Sequence, residues 1–113
     1  MQKELLNNIT ENSSLKDIQE YIRKVIKLRG LDNKTVQDEM LMLLEEVGEL
    51  AKAIRKKLPN SKIDETKLLN YTEIEEEVAD VFIVLNSVCN SLNIDIYKAF
   101  KDKEEININR KWK

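Results

Sequence analysis

The sequence predicts an all-α protein, and three observations lead to that prediction. Only two Gly and one Pro occur among 113 residues, so few positions interrupt a helix. Apolar residues recur at steps of three and four, which is the helical period, and 35% of the residues are charged. Because a chain of this length buries a limited share of its surface, it has a small core of its own. We expect one domain over residues 1–113, a four-to-five-helix bundle that homo-oligomerisation completes.

The first long helix is predicted from Leu15 to Arg29. Ser14 is a suitable N-cap with Asp17 three residues on, and Gly30 suits the left-handed position after the last turn. The preceding segment 1–14 is polar and has no apolar run. It resembles neither a signal peptide nor a membrane anchor, and we expect it to be flexible or loosely packed.

Two longer helices are predicted from Lys34 to Lys57 and from Glu73 to Leu92. Thr72 and Glu75 have capping-box spacing at the start of the second of these. Both carry an apolar seam at alternating steps of four and three, as in a coiled coil. The seams are Val36, Met40, Leu43, Val47, Leu50 and Ile54, and Ile74, Val78, Val81, Leu85, Val88 and Leu92. Further apolar residues beside the later seam predict burial on more than one side, which favours contact with another subunit.

A last helix is predicted to begin near Asp95, a suitable N-cap, and to continue towards Trp112. Ile96 and Phe100 are expected to pack inward. The single cysteine, Cys89, lies in an apolar stretch and is predicted to be a core residue. A lone cysteine excludes an internal disulfide and fits a reducing, cytoplasmic setting.

The composition also excludes several classes of function. The sequence contains no His, which rules out serine triads, His-ligated zinc and imidazole bases. The net charge of −2 argues against binding to a nucleic acid polymer, and no apolar segment is long enough to span a membrane. Carboxylates, Lys, Arg and Asn are left to perform any chemistry.

The acids of the two longest helices repeat with an offset of 31 residues. Glu46 and Glu49 on one helix match Glu77 and Asp80 on the other. Acids three apart lie ~60° apart on a helix surface, so both members of a pair can face one cation. Oxygen ligands alone select hard cations, Mg²⁺ above all, with Mn²⁺ or Ca²⁺ as alternatives. The same acid runs are also typical of a solvated helix face.

Both pairs lie in contexts that resemble the MazG-like nucleoside triphosphate pyrophosphohydrolases, part of the all-α NTP pyrophosphatase superfamily. That family has the pattern E-E-x-x-E followed by E-x-x-D. The matching residues are Glu45, Glu46 and Glu49, with Val-Gly-Glu-Leu-Ala around them, and then Glu77 and Asp80. The resemblance extends from about Leu15 to Trp112.

The resemblance implies hydrolysis of a (deoxy)nucleoside triphosphate to the monophosphate and pyrophosphate, with clearing of the nucleotide pool as the role. It implies Mg²⁺ ligation by four residues and a role for Glu45 in orienting or deprotonating the attacking water. The four ligands are Glu46, Glu49, Glu77 and Asp80. It also implies assembly as a homodimer or homotetramer.

The C-terminal residues Lys103, Asn107 and Arg110 are similar to the family's Lys…Asn…Arg tail. On a continued helix they share one face, so we expect them to contact the substrate phosphates. A solvated amphipathic helix is the alternative. Trp112 is expected to pack on the bundle rather than to stack on a base.

Two alternative functions remain open from the sequence. A related all-α pyrophosphohydrolase would act on another nucleotide, such as dUTP or phosphoribosyl-ATP. A non-catalytic helical interaction module is the alternative from another class, because apolar seams also bind partner helices.

Overall fold

The computed structural model describes residues 1–59, 62, 66 and 73–112. Within these residues the chain forms five α-helices and no strand, which confirms the all-α prediction. The helices are α1 (Gln2–Asn7), α2 (Leu15–Leu28), α3 (Val36–Lys57), α4 (Ile74–Ser91) and α5 (Ile96–Ile108). No single helix in the described part of the chain is long and apolar enough to cross a membrane, and α4 and α5 meet the requirement only as a pair bent by 96°.

Side-chain caps begin α2 and α3 where the sequence changes from polar to periodic. The Ser14 hydroxyl accepts a hydrogen bond from the Asp17 amide (3.0 Å), and the Asp17 carboxylate accepts one from the Ser14 amide (3.0 Å). Thr35 and Asp38 form the same reciprocal box at 3.1 and 3.3 Å. Each box satisfies two amides that a helix start otherwise leaves without partners. The capping box predicted at Thr72 lies outside the described residues.

Two helices end in the same motif, with a left-handed residue after the last turn. After α2 this residue is Gly30 (φ 71°), as predicted, and the Leu31 amide donates to the Ile26 carbonyl at 3.0 Å. After α4 the left-handed residue is Asn93 (φ 56°), and the Ile94 amide donates to the Cys89 carbonyl at 2.8 Å. Asn is the residue after Gly that best tolerates this conformation. The turn between α4 and α5 is therefore sharp, and Asp95 then caps α5, as predicted, by accepting from the Lys98 amide (3.2 Å).

The sequence did not predict α1, which lies inside the polar N-terminal segment. This helix has six residues and none of them is buried. It packs against α2, and the Arg29 guanidinium donates to the Gln2 side-chain oxygen at 3.0 Å.

The chain divides into two compact units. The first comprises residues Met1–Lys34 and Asn86–Lys113, and the second comprises Thr35–Leu85. A single cooperative domain over residues 1–113 stays a prediction.

The first unit buries apolar side chains. Ile22 and Val25 of α2 and Val88 and Cys89 of α4 are at most 9% exposed, which confirms Cys89 as a core residue. Burial raises the pKa of the Cys89 thiol. Along α5, in contrast, Phe100 is 60% exposed, so the prediction that it packs inward is wrong for the single chain.

Few of the described residues in the second unit are buried, and two of these are acids. Among its described residues only Glu39, Ala53 and Glu77 are buried. Several residues of the two apolar seams are exposed in the single chain, including Met40, Val47, Ile54, Val78 and Leu85. The described residues of this unit therefore leave part of the seam exposed in the single chain.

Candidate active site

Three carboxylates converge in the second unit. Glu46 lies in the middle of α3, and Glu77 and Asp80 lie in the first two turns of α4. One oxygen from each of the three lies within 4.8 Å of the other two. The spacing of three between Glu77 and Asp80 places them one above the other on α4, as the sequence predicted.

The two helices meet in an antiparallel arrangement, which brings distant residues of the sequence together. Near the end of α3 the Lys56 ammonium lies 3.9 Å from the Glu73 carboxylate, just before α4 begins. Further from the connection, Glu46 of α3 lies close to Glu77 and Asp80 of α4. Because α3 leads into the connection and α4 leads out of it, the two helices run in opposite directions, and the middle of α3 lies beside the first turns of α4.

Burial differs across the three-carboxylate cluster. Glu77 is buried (4% exposed), Glu46 is half-buried and Asp80 is exposed. A cluster with one buried and one exposed member is open on one side. A ligand can therefore reach it from solvent while the buried carboxylate holds one edge of the site in place.

The electrostatics of this cluster favour a cation. Burial, followed by the negative charges of Asp80 and Glu77 and then of Glu49 and Glu45, raises the pKa of the Glu46 carboxyl above its ordinary value. Desolvation and like charges both disfavour an ionised carboxylate. A bound cation would reverse both effects, because it supplies the opposite charge that the described side chains of the cluster do not.

Glu45 and Glu49 lie beside the cluster and are not members of it. Both are exposed on α3, and both contribute to the raised pKa of Glu46. Glu49 is one turn after Glu46, where the sequence predicted it, but its oxygens are not among those that converge. Its assignment as a metal ligand, and that of Glu45 as the residue that orients water, stay predictions.

Sequence analysis missed one acid on this face of α3. Glu39 is 5% exposed and lies seven residues before Glu46, which is two helical turns. Seven residues return to nearly the same side of a helix, so the spacing could have identified it. A buried acid two turns from the cluster extends the acidic character of this face.

The predicted phosphate-binding residues lie at the end of α5, in the first unit. Lys103 is exposed, and the Asn107 amide donates to the Glu104 carboxylate at 2.8 Å. Because α5 ends at Ile108, Arg110 lies beyond the helix, and the prediction of a helix continuing through it is wrong. The Arg110 guanidinium still reaches the Asn107 side-chain oxygen (3.4 Å), so these two residues are neighbours.

Trp112 was predicted to pack on the helices, but it does not do so in the single chain. It is 71% exposed, and the Arg110 guanidinium carbon lies 4.9 Å above the centre of its ring. A cation over an indole face is a stabilising arrangement. Arg110 and Trp112 therefore contact each other within the tail.

The three-carboxylate cluster fits a divalent metal ion by its donor chemistry. All three donors are carboxylate oxygens, which hard cations such as Mg²⁺, Mn²⁺ and Ca²⁺ prefer. Mg²⁺ typically uses a few protein carboxylates and completes its shell with water and substrate phosphates. Three carboxylates that are open to solvent on one side fit this mode of coordination better than they fit a metal site enclosed by protein ligands.

Comparison with protein families supports the sequence resemblance. A family model, the MazG nucleotide pyrophosphohydrolase domain, matches residues 34–111. The match begins at the start of α3 and so leaves out α1 and α2, although the resemblance was expected to begin near Leu15. No curated protein matches the chain significantly. Since the family model covers more than half of the sequence, the chain belongs to the MazG nucleotide pyrophosphohydrolase domain family.

Proposed function

We propose that the protein hydrolyses a (deoxy)nucleoside triphosphate to the monophosphate and pyrophosphate in a Mg²⁺-dependent reaction that clears surplus or non-standard nucleotides. The observation that supports this most directly is the convergence of Glu46, Glu77 and Asp80 within 4.8 Å. Family membership supports the class of reaction, nucleotide pyrophosphohydrolysis. The donor chemistry supports the choice of a hard cation.

Each acid of the site has a distinct task in this proposal. Glu46, Glu77 and Asp80 would hold Mg²⁺, and Glu49, one turn along α3, would be a further ligand. Bound Mg²⁺ neutralises phosphate charge and lowers the pKa of coordinated water. Glu45, exposed beside the cluster, orients the attacking water or accepts its proton. Catalysis is then mainly positioning and charge neutralisation.

The triphosphate needs cations as well as acids. Lys103, Asn107 and Arg110 supply two positive charges and an amide donor for the phosphate groups in this proposal. The contact between Arg110 and Asn107 supports it, because it presents a guanidinium and an amide side by side. Planar guanidinium groups suit phosphate oxygens particularly well.

The active form in this proposal is a homodimer or homotetramer. The exposed apolar residues of α3 and α4 support it, among them Leu41, Leu44, Val47 and Val78, each 46% exposed or more. Apolar surface of this extent on one helix pair is typical of a protein interface. Gly48, in the middle of α3, also supports it. A Cβ there would meet nothing within 4 Å in the described chain, so no described neighbour requires a glycine at this position. Since Gly costs a helix about 1 kcal/mol relative to Ala, close approach of a second copy would explain its presence.

Oligomerisation is tested by introducing a charge into the apolar surface. Leu41→Glu should shift the mass measured by light scattering towards that of the monomer, because a carboxylate in an apolar interface is strongly desolvated. Leu6→Glu on α1 is the matched control, since Leu6 is similarly exposed but is not part of the apolar surface of α3 and α4. A wild-type protein that is monomeric throughout would contradict this part of the proposal.

The reaction is tested with a panel of NTPs and dNTPs, including dUTP, and with phosphoribosyl-ATP, in the presence of Mg²⁺. We expect pyrophosphate release that EDTA abolishes. Glu77→Gln should lower kcat by about 10²-fold or more, because a mispositioned metal loses its stabilisation of the transition state. Glu76→Gln removes an exposed charge one residue away and should retain activity.

The outcomes of the panel also separate the alternative functions. Release from dUTP or phosphoribosyl-ATP alone would identify a pyrophosphohydrolase of another substrate class. No release from any nucleotide, with stability independent of Mg²⁺, would favour the non-catalytic interaction module. Equal activity in wild type and Glu77→Gln would show that the cluster is not the active site.

A further inference from the structure

A buried amide joins α2 to the turn between α4 and α5. Gln19 on α2 is 6% exposed. Its Nε2 donates to the Asn90 side-chain oxygen (2.8 Å) and to the Ile94 carbonyl (2.7 Å). Its Oε1 accepts a hydrogen bond from the Ile96 amide (3.0 Å). Both donors of the amide group and its oxygen are thus used, and the partners are more than seventy residues away in sequence.

Asn90, in the last turn of α4, returns these contacts. Its Nδ2 donates to the Gln19 backbone carbonyl at 3.2 Å, and its Oδ1 also accepts from the Arg23 guanidinium at 3.1 Å. We call Gln19, Asn90, Ile94 and Ile96 the amide cluster. Because side chains and backbone groups of both helices take part, the amide cluster fixes α2 against the end of α4 in rotation as well as in distance.

The amide cluster also sets the direction in which α5 begins. Ile94 follows the left-handed Asn93, and Ile96 is the first residue of α5, whose amide has no partner within its own helix. Gln19 binds the carbonyl of one and the amide of the other. One buried side chain therefore holds both sides of the turn, while Asp95 between them caps the helix.

We propose that Gln19 and Asn90 are positioning residues for the substrate phosphates, because they fix the start of α5 and so the placement of Lys103 and Asn107 further along it. This inference rests on the proposed role of α5 in phosphate binding. Displacements of about 1 Å in a binding group can cost up to about 10²-fold in rate or affinity. Residue 19 precedes the region that the family model matches, so α2 supplies this support from outside that region.

The test replaces Gln19 by Met, which has a similar length and forms no comparable hydrogen bonds. For the preferred nucleotide of the panel, KM should rise about tenfold with kcat unchanged, and inhibition by inorganic tripolyphosphate should weaken equally. Tripolyphosphate has no base or sugar, so it reports phosphate binding alone. The rise in melting temperature on adding Mg²⁺ should be the same as in wild type, because the proposed metal ligands lie on α3 and α4.

Two further variants separate positioning from loss of stability. Ile22→Val removes one buried methylene from the same helix without touching the amide cluster, and its KM should equal that of wild type. Asn90→Asp keeps the oxygen that accepts from Gln19 and Arg23 but loses the donor to the Gln19 carbonyl. It should raise KM by less than Gln19→Met, and it decides the question if Gln19→Met does not fold.

The proposal is overturned if Gln19→Met, or Asn90→Asp in its place, has the same KM and tripolyphosphate inhibition as Ile22→Val. Lys103→Ala distinguishes that failure from a failure of the proposed function. If Lys103→Ala leaves tripolyphosphate inhibition unchanged in an active enzyme, α5 does not bind phosphate and the premise is wrong. If Lys103→Ala weakens inhibition and the amide-cluster variants do not, the positioning role alone is wrong.

Discussion

The described residues of the two units differ in which side chains they bury and which they expose. In the first, Ile22 and Val25 of α2 are at most 2% exposed, and the buried polar residue Gln19 has hydrogen-bond partners on three residues. In the second, the acids Glu39 and Glu77 are buried while apolar residues such as Leu44 are exposed. Among the described residues, the first unit thus has a buried apolar core, whereas the second buries two acids and exposes apolar residues.

This contrast teaches that amphipathic periodicity does not by itself say what an apolar stripe contacts. The stripe of α2 is covered within the chain, whereas Met40, Val47 and Ile54 in the equally regular seam of α3 are exposed. A helix buries its apolar face only if another element is available to cover it. In the second unit the available face is used to bring carboxylates together.

The largest expected effect comes from the core of the first unit. Ile22→Ala should lower the free energy of unfolding by about 2–5 kcal/mol, because it leaves a cavity at a fully buried position. Leu44→Ala in the second unit should change it by no more than about 0.5 kcal/mol at protein concentrations too low for assembly. Chemical denaturation measures both, and equal losses in the two variants at low concentration would remove the contrast between the units.

Varying the protein concentration provides a second test of the difference between the two units. If the exposed apolar residues of α3 and α4 bind a second copy, the cost of Leu44→Ala should grow as concentration rises, because assembly stabilises the folded state by mass action. The cost of Ile22→Ala should not depend on concentration. A Leu44→Ala cost that stays constant would indicate that this residue is outside any interface.

A smaller effect is expected from metal binding to the second unit. Mg²⁺ at one hundred times its dissociation constant should stabilise the protein by about 2.7 kcal/mol, because it binds only the folded form. The melting temperature with Mg²⁺ and with EDTA measures this. Glu77→Gln should abolish the shift and Glu76→Gln should keep it. Parallel melts with Mn²⁺ and Ca²⁺ show which hard cation the cluster prefers.

The smallest effect compares matched caps of the two units. Ser14→Ala and Thr35→Ala each remove one side of a reciprocal capping box, so each should cost about 1 kcal/mol. If the chain is one cooperative domain, both variants lower the midpoint of a single transition seen by calorimetry. Two transitions, each moved by only one variant, would contradict the prediction of a single domain.

Much of the fold was predictable because local signals determine helix limits. The predicted starts at Ser14 and Asp95 and the end at Gly30 agree with the structure, since caps and left-handed residues act over three or four residues. The helix α1 was missed because its six residues lack a buried apolar stripe. The end of α5 was placed too late, because mixed charges and Asn residues give no clear stop signal before Arg110.

The sequence predicted that acids of α3 and α4 come together, but it did not predict which of them converge. Matching pairs on two helices identified Glu46, Glu77 and Asp80, but helical spacing alone also selected Glu49, which lies outside the converging oxygens. The buried Glu39 and the amide cluster were not predicted. Their partners or their burial depend on elements far away in the sequence, which periodicity within one helix does not reveal.

The sequence by itself determined an all-α chain, the limits of most helices, a composition rich in acids and without His, and the family. Each of these depends on residue type or on spacing within about one helix. Only the tertiary structure decided which three carboxylates meet, that the α3 seam is exposed in the single chain, and that Gln19 holds the turn before α5. Those outcomes depend on how helices pack, because burial and long-range hydrogen bonds arise only when separate elements come into contact.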